Sequence, residues 1–82
     1  MDYELVVSPL SRPITDKGHT VQIEIYRGEN TDWTLEVVDA SNNSTVWDDL
    51  FPTDQAALEE ALRTVRDEGI ETLVGPPSSA GQ

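Results

Sequence analysis

Few side chains among the 82 residues could do covalent or acid/base chemistry: one histidine, no cysteine, and a surplus of carboxylates. His19 stands near Ser8, Ser11 and Asp16, the residue types of an activated hydroxyl. A working triad also needs a base oriented by a third group beside an oxyanion hole, and no glycine-flanked serine or strand-to-helix elbow is present. Asp48 and Asp49 pair two carboxylates, yet a chain this short offers little depth in which to shift their pKa values. Asp39-Ala40-Ser41-Asn42-Asn43-Ser44 sets several oxygens in one loop. It lacks the central glycine of a calcium hand, and Leu50 stands where the bidentate glutamate would be. Without cysteine there is no thiolate nucleophile and no zinc-thiolate site. The expectation is a protein without enzymatic activity, cofactor or metal; a metal-assisted enzyme or enzyme accessory is the least favoured reading.

Charge narrows the partners. Sixteen acids against five bases give a formal charge of −11. Arg12, Lys17, Arg27, Arg63 and Arg66 are too few to release several counterions from a phosphate backbone, so direct nucleic-acid binding is not expected. Anionic membranes are disfavoured for the same reason, and Leu5-Val6-Val7 is far too short to cross a bilayer. Met1-Asp2-Tyr3-Glu4 is acidic where a secretory signal would be basic, so the expected location is the cytoplasm.

The elements that must carry any site follow from periodicity. Tyr3, Leu5 and Val7 alternate with Glu4, Val6 and Ser8, as in a half-buried strand, and Pro9 and Pro13 stop it. Ser8 to Gly18, with its two prolines and the Thr15-Asp16-Lys17-Gly18 turn, reads as a loop. Val21, Ile23 and Ile25 then face one way and Gln22, Glu24 and Tyr26 the other, in a β-branched run. After a turn over Gly28 to Asp32, Trp33, Leu35 and Val37 repeat the phase. With Arg27 paired to Trp33, Ile25 lies opposite Leu35 and Ile23 opposite Val37. Ala40-Ser41-Asn42-Asn43 leads into a short strand over Ser44 to Trp47.

Thr53 is a helix N-cap, Asp54 suits the first turn, and Ala57, Leu58, Ala61, Leu62 and Val65 form the apolar stripe. Phe51 packs under that first turn, Gly69 ends the helix, and Ile70 to Val74 reads as a short final strand. The fold class is therefore α+β: a two-layer domain over 1–74, in which an antiparallel sheet of three to five strands packs on one C-terminal helix. Residues 75–82 read as a disordered tail.

One helix shelters one face of a sheet. An even-numbered turn before Ser44 puts Tyr26, Val38 and Trp47 on the other face, among Gln22, Glu24, Thr34 and Glu36, with Val6 a further candidate. Aromatic and aliphatic groups ringed by polar ones make an interaction patch. The partner-binding candidates are Tyr26, Val38, Trp47, Glu24 and Glu36. They imply a protein partner or self-association, with the acidic rim steering toward basic surfaces. The alternative is an antitoxin-like or nucleic-acid-mimicking inhibitor that offers Glu24, Asp32, Glu36, Asp39, Asp48 and Asp49 to a cationic groove in place of phosphates.

Two resemblances bear on this. Trp33-Thr34-Leu35-Glu36-Val37-Val38-Asp39, followed by Val46-Trp47-Asp48-Asp49 and the run Phe51 to Leu62, resembles a family of small uncharacterised acidic bacterial proteins built as a β-meander plus one helix. That family brings no established activity. The opening Met-x-Tyr strand, the hairpin and the Thr-led helix with Glu59-Glu60-Ala61-Leu62 are similar to HicB-type antitoxins, which neutralise an RNA-cleaving partner. The Pro-Asp-Leu-Pro-Gly-like segment and a DNA-binding tail are missing, and no functional residue carries over.

Uncompensated carboxylates repel one another in the compact state, and salt screens them. The melting temperature is accordingly expected to rise with moderate NaCl in a calorimetric or circular-dichroism series; a flat or falling response would contradict this account of the charge.

Overall fold

The structure is a computed structural model that describes residues 5–75. Its elements are β1 (Val6–Val7), β2 (Arg12–Asp16), β3 (His19–Arg27), β4 (Thr34–Asp39), β5 (Ser44–Val46), the helix α1 (Asp54–Asp67) and a 3-10 helix (Ile70–Leu73). The five strands form one antiparallel sheet on a single α-helix, the expected α+β architecture. Tyr3 and Glu4 of the expected first strand and residues 76–82 of the expected tail lie outside the described residues.

β3 is the spine because its β-branched alternation is the longest in the chain. It pairs with β4 from Val21↔Asp39 to Tyr26↔Thr34, and Ile25 faces Leu35 and Ile23 faces Val37 as the alternation predicts. Val21, Ile23, Ile25, Leu35 and Val37 all point to one side, where Ala57, Leu58 and Ala61 of α1 close over them. The small alanines let the helix approach the sheet, and Trp33, Trp47, Phe51 and Val65 fill the margin. Truncating a fully buried residue such as Ile23 typically costs about 2–5 kcal/mol.

The other edge of β3 differs from expectation. The segment read as a loop contains β2, which pairs with β3 from Arg12↔Ile23 to Asp16↔His19. Pro13 masked it, but on an edge strand a missing N–H can face solvent without breaking the ladder. Lys17 (φ 53°) and Gly18 (φ 81°) form a two-residue left-handed turn whose twist suits a hairpin. Between β1 and β2 the chain bows away from β3, and serines fill the gap. The Ser8 amide donates to the Ile25 carbonyl at 2.8 Å, and the Ile25 amide donates to Ser11 Oγ at 3.0 Å. Ser8 is itself buried, and its hydroxyl donates to the Asp54 carboxylate at 2.7 Å, tying the sheet edge to the first turn of α1.

The helix starts where expected: Thr53 Oγ1 accepts from the Ala56 amide at 3.0 Å. Backbone bonds between Trp33 and Phe51, both 2.9 Å, fix the chain as it enters α1. Gly69, at φ 94°, turns the chain out of the helix. The segment read as a last strand is instead the 3-10 helix. Ile70 and Leu73, three residues apart, fall on one side of a 3.0-residue turn and both become buried, whereas a strand would have turned one of them outward.

Asp39 closes the structure. Its Oδ1 accepts from the Ser41 and Asn43 amides at 2.9 and 2.8 Å, and its Oδ2 accepts from the Asn43 side chain at 3.2 Å and the Gly75 amide at 2.7 Å. Burial alone would raise this carboxyl; the amides of Asn43, Gly75 and Ser41 with the Asn43 side chain outweigh it and hold the carboxyl below its ordinary value. A depressed folded-state value contributes stability in full above the unfolded value of about 3.9 and loses it as pH falls through the folded value. Asp39→Asn should therefore lower the urea midpoint at neutral pH, and the gap to the parent protein should close through the acid limb; a gap independent of pH would contradict this role.

Candidate functional site: the uncovered sheet face

No described element covers the side of the sheet away from α1. Strand register assigns its occupants. β1 brings Val7 opposite Tyr26, β2 brings Pro13 opposite Gln22, β3 and β4 bring Glu24 opposite Glu36 and Tyr26 opposite Thr34, and β5 brings Ser44 opposite Val38 and Val46 opposite Glu36. Tyr26, Val38, Glu24 and Glu36 thus share one surface, as expected. Tyr26 and Val38 are half-buried against neighbouring side chains, whereas Val7 and Val46 are 58% and 51% exposed.

Trp47 does not belong to this set, which corrects the expected position. The β4–β5 turn contains three residues, Ala40, Ser41 and Asn42, with Asn42 in the left-handed region at φ 70°. An odd turn reverses the parity that an even one would give, so Val46 takes the outer face and Trp47 turns inward opposite Leu35, whose carbonyl accepts its amide at 3.1 Å. The indole packs beside the core, and Nε1 donates to Glu60 Oε2 on α1 at 3.3 Å. Val6 is corrected likewise: it pairs with Arg27, and Val7 faces outward with Tyr26. The sequence signal for Val46 was only the left-handed tolerance of Asn42, which makes a three-residue turn with a bulge as available as a two-residue one.

The centre of the face is electrostatically unusual. Glu24 and Glu36 are direct cross-strand partners, a like-charge arrangement that disfavours pairing. Glu36 is held in place by the Tyr26 hydroxyl, which donates to Oε1 at 2.9 Å, and by the Ser44 hydroxyl, which donates to Oε2. The Tyr26 phenol is pushed above its ordinary value by partial burial first, then by its bond to Glu36 and by the charges of Glu36 and Glu24.

The bases lie elsewhere. Arg12 and Arg27 occupy alternate positions directed to the helix side of the sheet, and Arg27 sits 5.1 Å over the Trp33 ring. Lys17 is at a hairpin tip. Arg63 makes a two-point contact with Glu60, and Arg66 pairs with Asp67.

The other sequence candidates are dispersed. Ser8 is committed to Asp54 and Ser11 to Ile25, while His19 pairs with Asp16 beside the Lys17-Gly18 turn, so these groups do not converge on one reactive centre. Asp39 turns its oxygens onto backbone amides, and Asp48 and Asp49 are exposed after β5. Among the described residues no group of three or more His, Cys, Asp or Glu could hold a metal ion. A shallow groove of about 600 Å³ beside α1 is lined by Phe51, Leu62 and the Glu60–Arg63 pair. Arg63 there lowers the Glu60 carboxyl below its ordinary value, with burial opposing and the Trp47 indole adding. No described helix is long and apolar enough to cross a membrane. Comparison with protein-family models, with the curated proteins and with the solved structures finds no match for this chain.

Removing one member of the facing glutamate pair relieves repulsion without disturbing a hydrogen bond when the member is Glu24. Glu24→Gln should stabilise the fold by about 0.2–1 kcal/mol, seen as a higher melting temperature at low salt that converges with the parent at high salt. A lower melting temperature at every salt concentration would mean that the pair is not repulsive.

Proposed function

We propose that this protein is a non-catalytic interaction module of the bacterial cytoplasm that engages a protein partner through the outer face of its sheet. The reading rests on one observation: α1 packs on one side of the five-stranded sheet, while the other side presents Val7, Val38, Val46 and Tyr26 around Glu24 and Glu36. Exposed apolar groups flanking a charged pair suit a transient interface, because the valines supply desolvation and the glutamates supply steering. Rigidity supports it further. β3 and β4 are anchored by the core beneath, so their outward side chains hold position before a partner arrives and little ordering entropy remains to be lost.

A second reading, an acidic inhibitor that imitates nucleic acid, is favoured by the net charge of −11 and the facing glutamates. It places recognition in charge rather than in apolar contact, so the two readings separate by salt.

The test is affinity capture of the native partner with parent protein and with a Val38→Ser/Val46→Ser double variant, at about 0.1 M and about 0.5 M NaCl, between which the screening length falls roughly twofold while the apolar contribution stays nearly constant. The double variant should keep the parent's circular-dichroism spectrum and recover at least about fivefold less partner, a loss of roughly 1 kcal/mol in binding. Capture unaffected by the double variant, at either salt concentration, would overturn the reading.

A further inference from the structure

Building on the interaction face proposed above, we infer that its partner is a cationic polypeptide that seats an arginine between Glu24 and Glu36, with flanking aliphatic side chains on Val7, Val38 and Val46. Charge placement carries this. Among the described residues, register puts two glutamates and no lysine or arginine on the face, while Arg12 and Arg27 point to the helix side and Arg63 and Arg66 are paired on α1. Directly opposed residues on neighbouring strands hold their β-carbons about 5 Å apart, a span that one planar guanidinium with five donors can bridge.

Glu36 is already oriented by Tyr26 and Ser44, and each of its oxygens keeps a second lone pair for an incoming donor. Glu24 takes no hydrogen bond or ion pair among the described residues, so a cation arriving there replaces water rather than breaking an internal contact. The repulsion that Glu24 and Glu36 impose on the free protein becomes attraction to the same cation, so binding relieves a cost that folding leaves in place.

A second copy of this chain is a poor occupant. Two such faces would bring four glutamates together with no base between them, within a pair carrying −11 each. A nucleic acid or an anionic bilayer meets the same repulsion.

The experiment titrates the ¹⁵N-labelled full chain with a hexapeptide of alternating arginine and valine, and in parallel with its lysine–valine counterpart. Amide shifts should concentrate on residues 22–26, 34–38 and 44–46. Glu24→Gln/Glu36→Gln should weaken the arginine peptide about tenfold, equivalent to about 1.4 kcal/mol. Asp48→Asn/Asp49→Asn, the same change in charge elsewhere, should stay within about twofold, the size of a general charge effect after screening. Equal weakening by the two double variants, shifts centred on Glu59, Asp67 and Glu68, or a lysine peptide that binds as tightly would each overturn the inference. Capture of the native partner separates this failure from that of the broader reading. If Val38→Ser/Val46→Ser weakens capture and Glu24→Gln/Glu36→Gln does not, the face stands and its cationic occupant falls; if neither weakens it, both fall.

Discussion

The structure depends on a shared alternation: five apolar residues of β3 and β4 that fall on the same side of two paired strands and are buried together beneath Ala57, Leu58 and Ala61. A slip of one residue in that pairing would turn the apolar set of one strand to water while the other kept its own inward, so the register of β3 on β4 is specified by the core more strongly than by any turn. Once it is set, α1 has one place to dock, and the Trp33–Phe51 bridge, beside the start of β4, fixes the chain just before the helix begins. The same alternation decides the opposite surface. Tyr26, Glu24 and Gln22 face outward because Ile25, Ile23 and Val21 face inward, so what the protein can present follows from what it must bury.

That logic explains what could be read from the chain and what could not. β3, β4 and α1 were legible because each repeats an apolar period over several residues, and α1 adds a cap at Thr53 and a stop at Gly69. β2 was hidden because Pro13 signals a break, and only an edge position, a tertiary fact, makes it harmless. Ile70 to Leu73 has too few residues to distinguish a period of two from a period of three, and the shape of the space beneath β3 and β4 decided it. For the candidate face, Tyr26, Val38, Glu24 and Glu36 lie on strands whose phase is locked by the core, so alternation alone assigns them to one side of the sheet. Trp47 lies beyond a turn, where one residue more or less exchanges the faces, and its indole went to Glu60 instead.

Polar side chains carry the remaining closure, and they do so by tying distant segments together. Ser8 binds the N-terminal edge to Asp54, and Asp39 binds the β4–β5 turn to Gly75. Both are buried, and every buried side-chain polar atom among the described residues has a partner. In a chain of 82 residues with no cysteine, such ties stand where larger proteins have more core and secreted ones have disulfides. They also consume the groups that otherwise resemble catalytic or metal-binding parts: Ser8 and Asp39 are structural because their lone pairs and protons are already committed.

What is left uncommitted is therefore informative. The helix places Arg63 and Arg66 in its last turns, where they answer Glu60, Asp67 and the dipole of the helix itself. The sheet had the same option, since a lysine at position 24 would face Glu36 and add a favourable cross-strand pair in place of a repulsive one. Instead two carboxylates face each other, one of them fixed by Tyr26 and Ser44, on a sheet face that no described element covers. A merely soluble surface is served better by interspersed charges than by opposed like charges on a paired strand. Local cost without local compensation is where a folded chain shows requirements other than folding, and here it coincides with the exposed valines of β1 and β5.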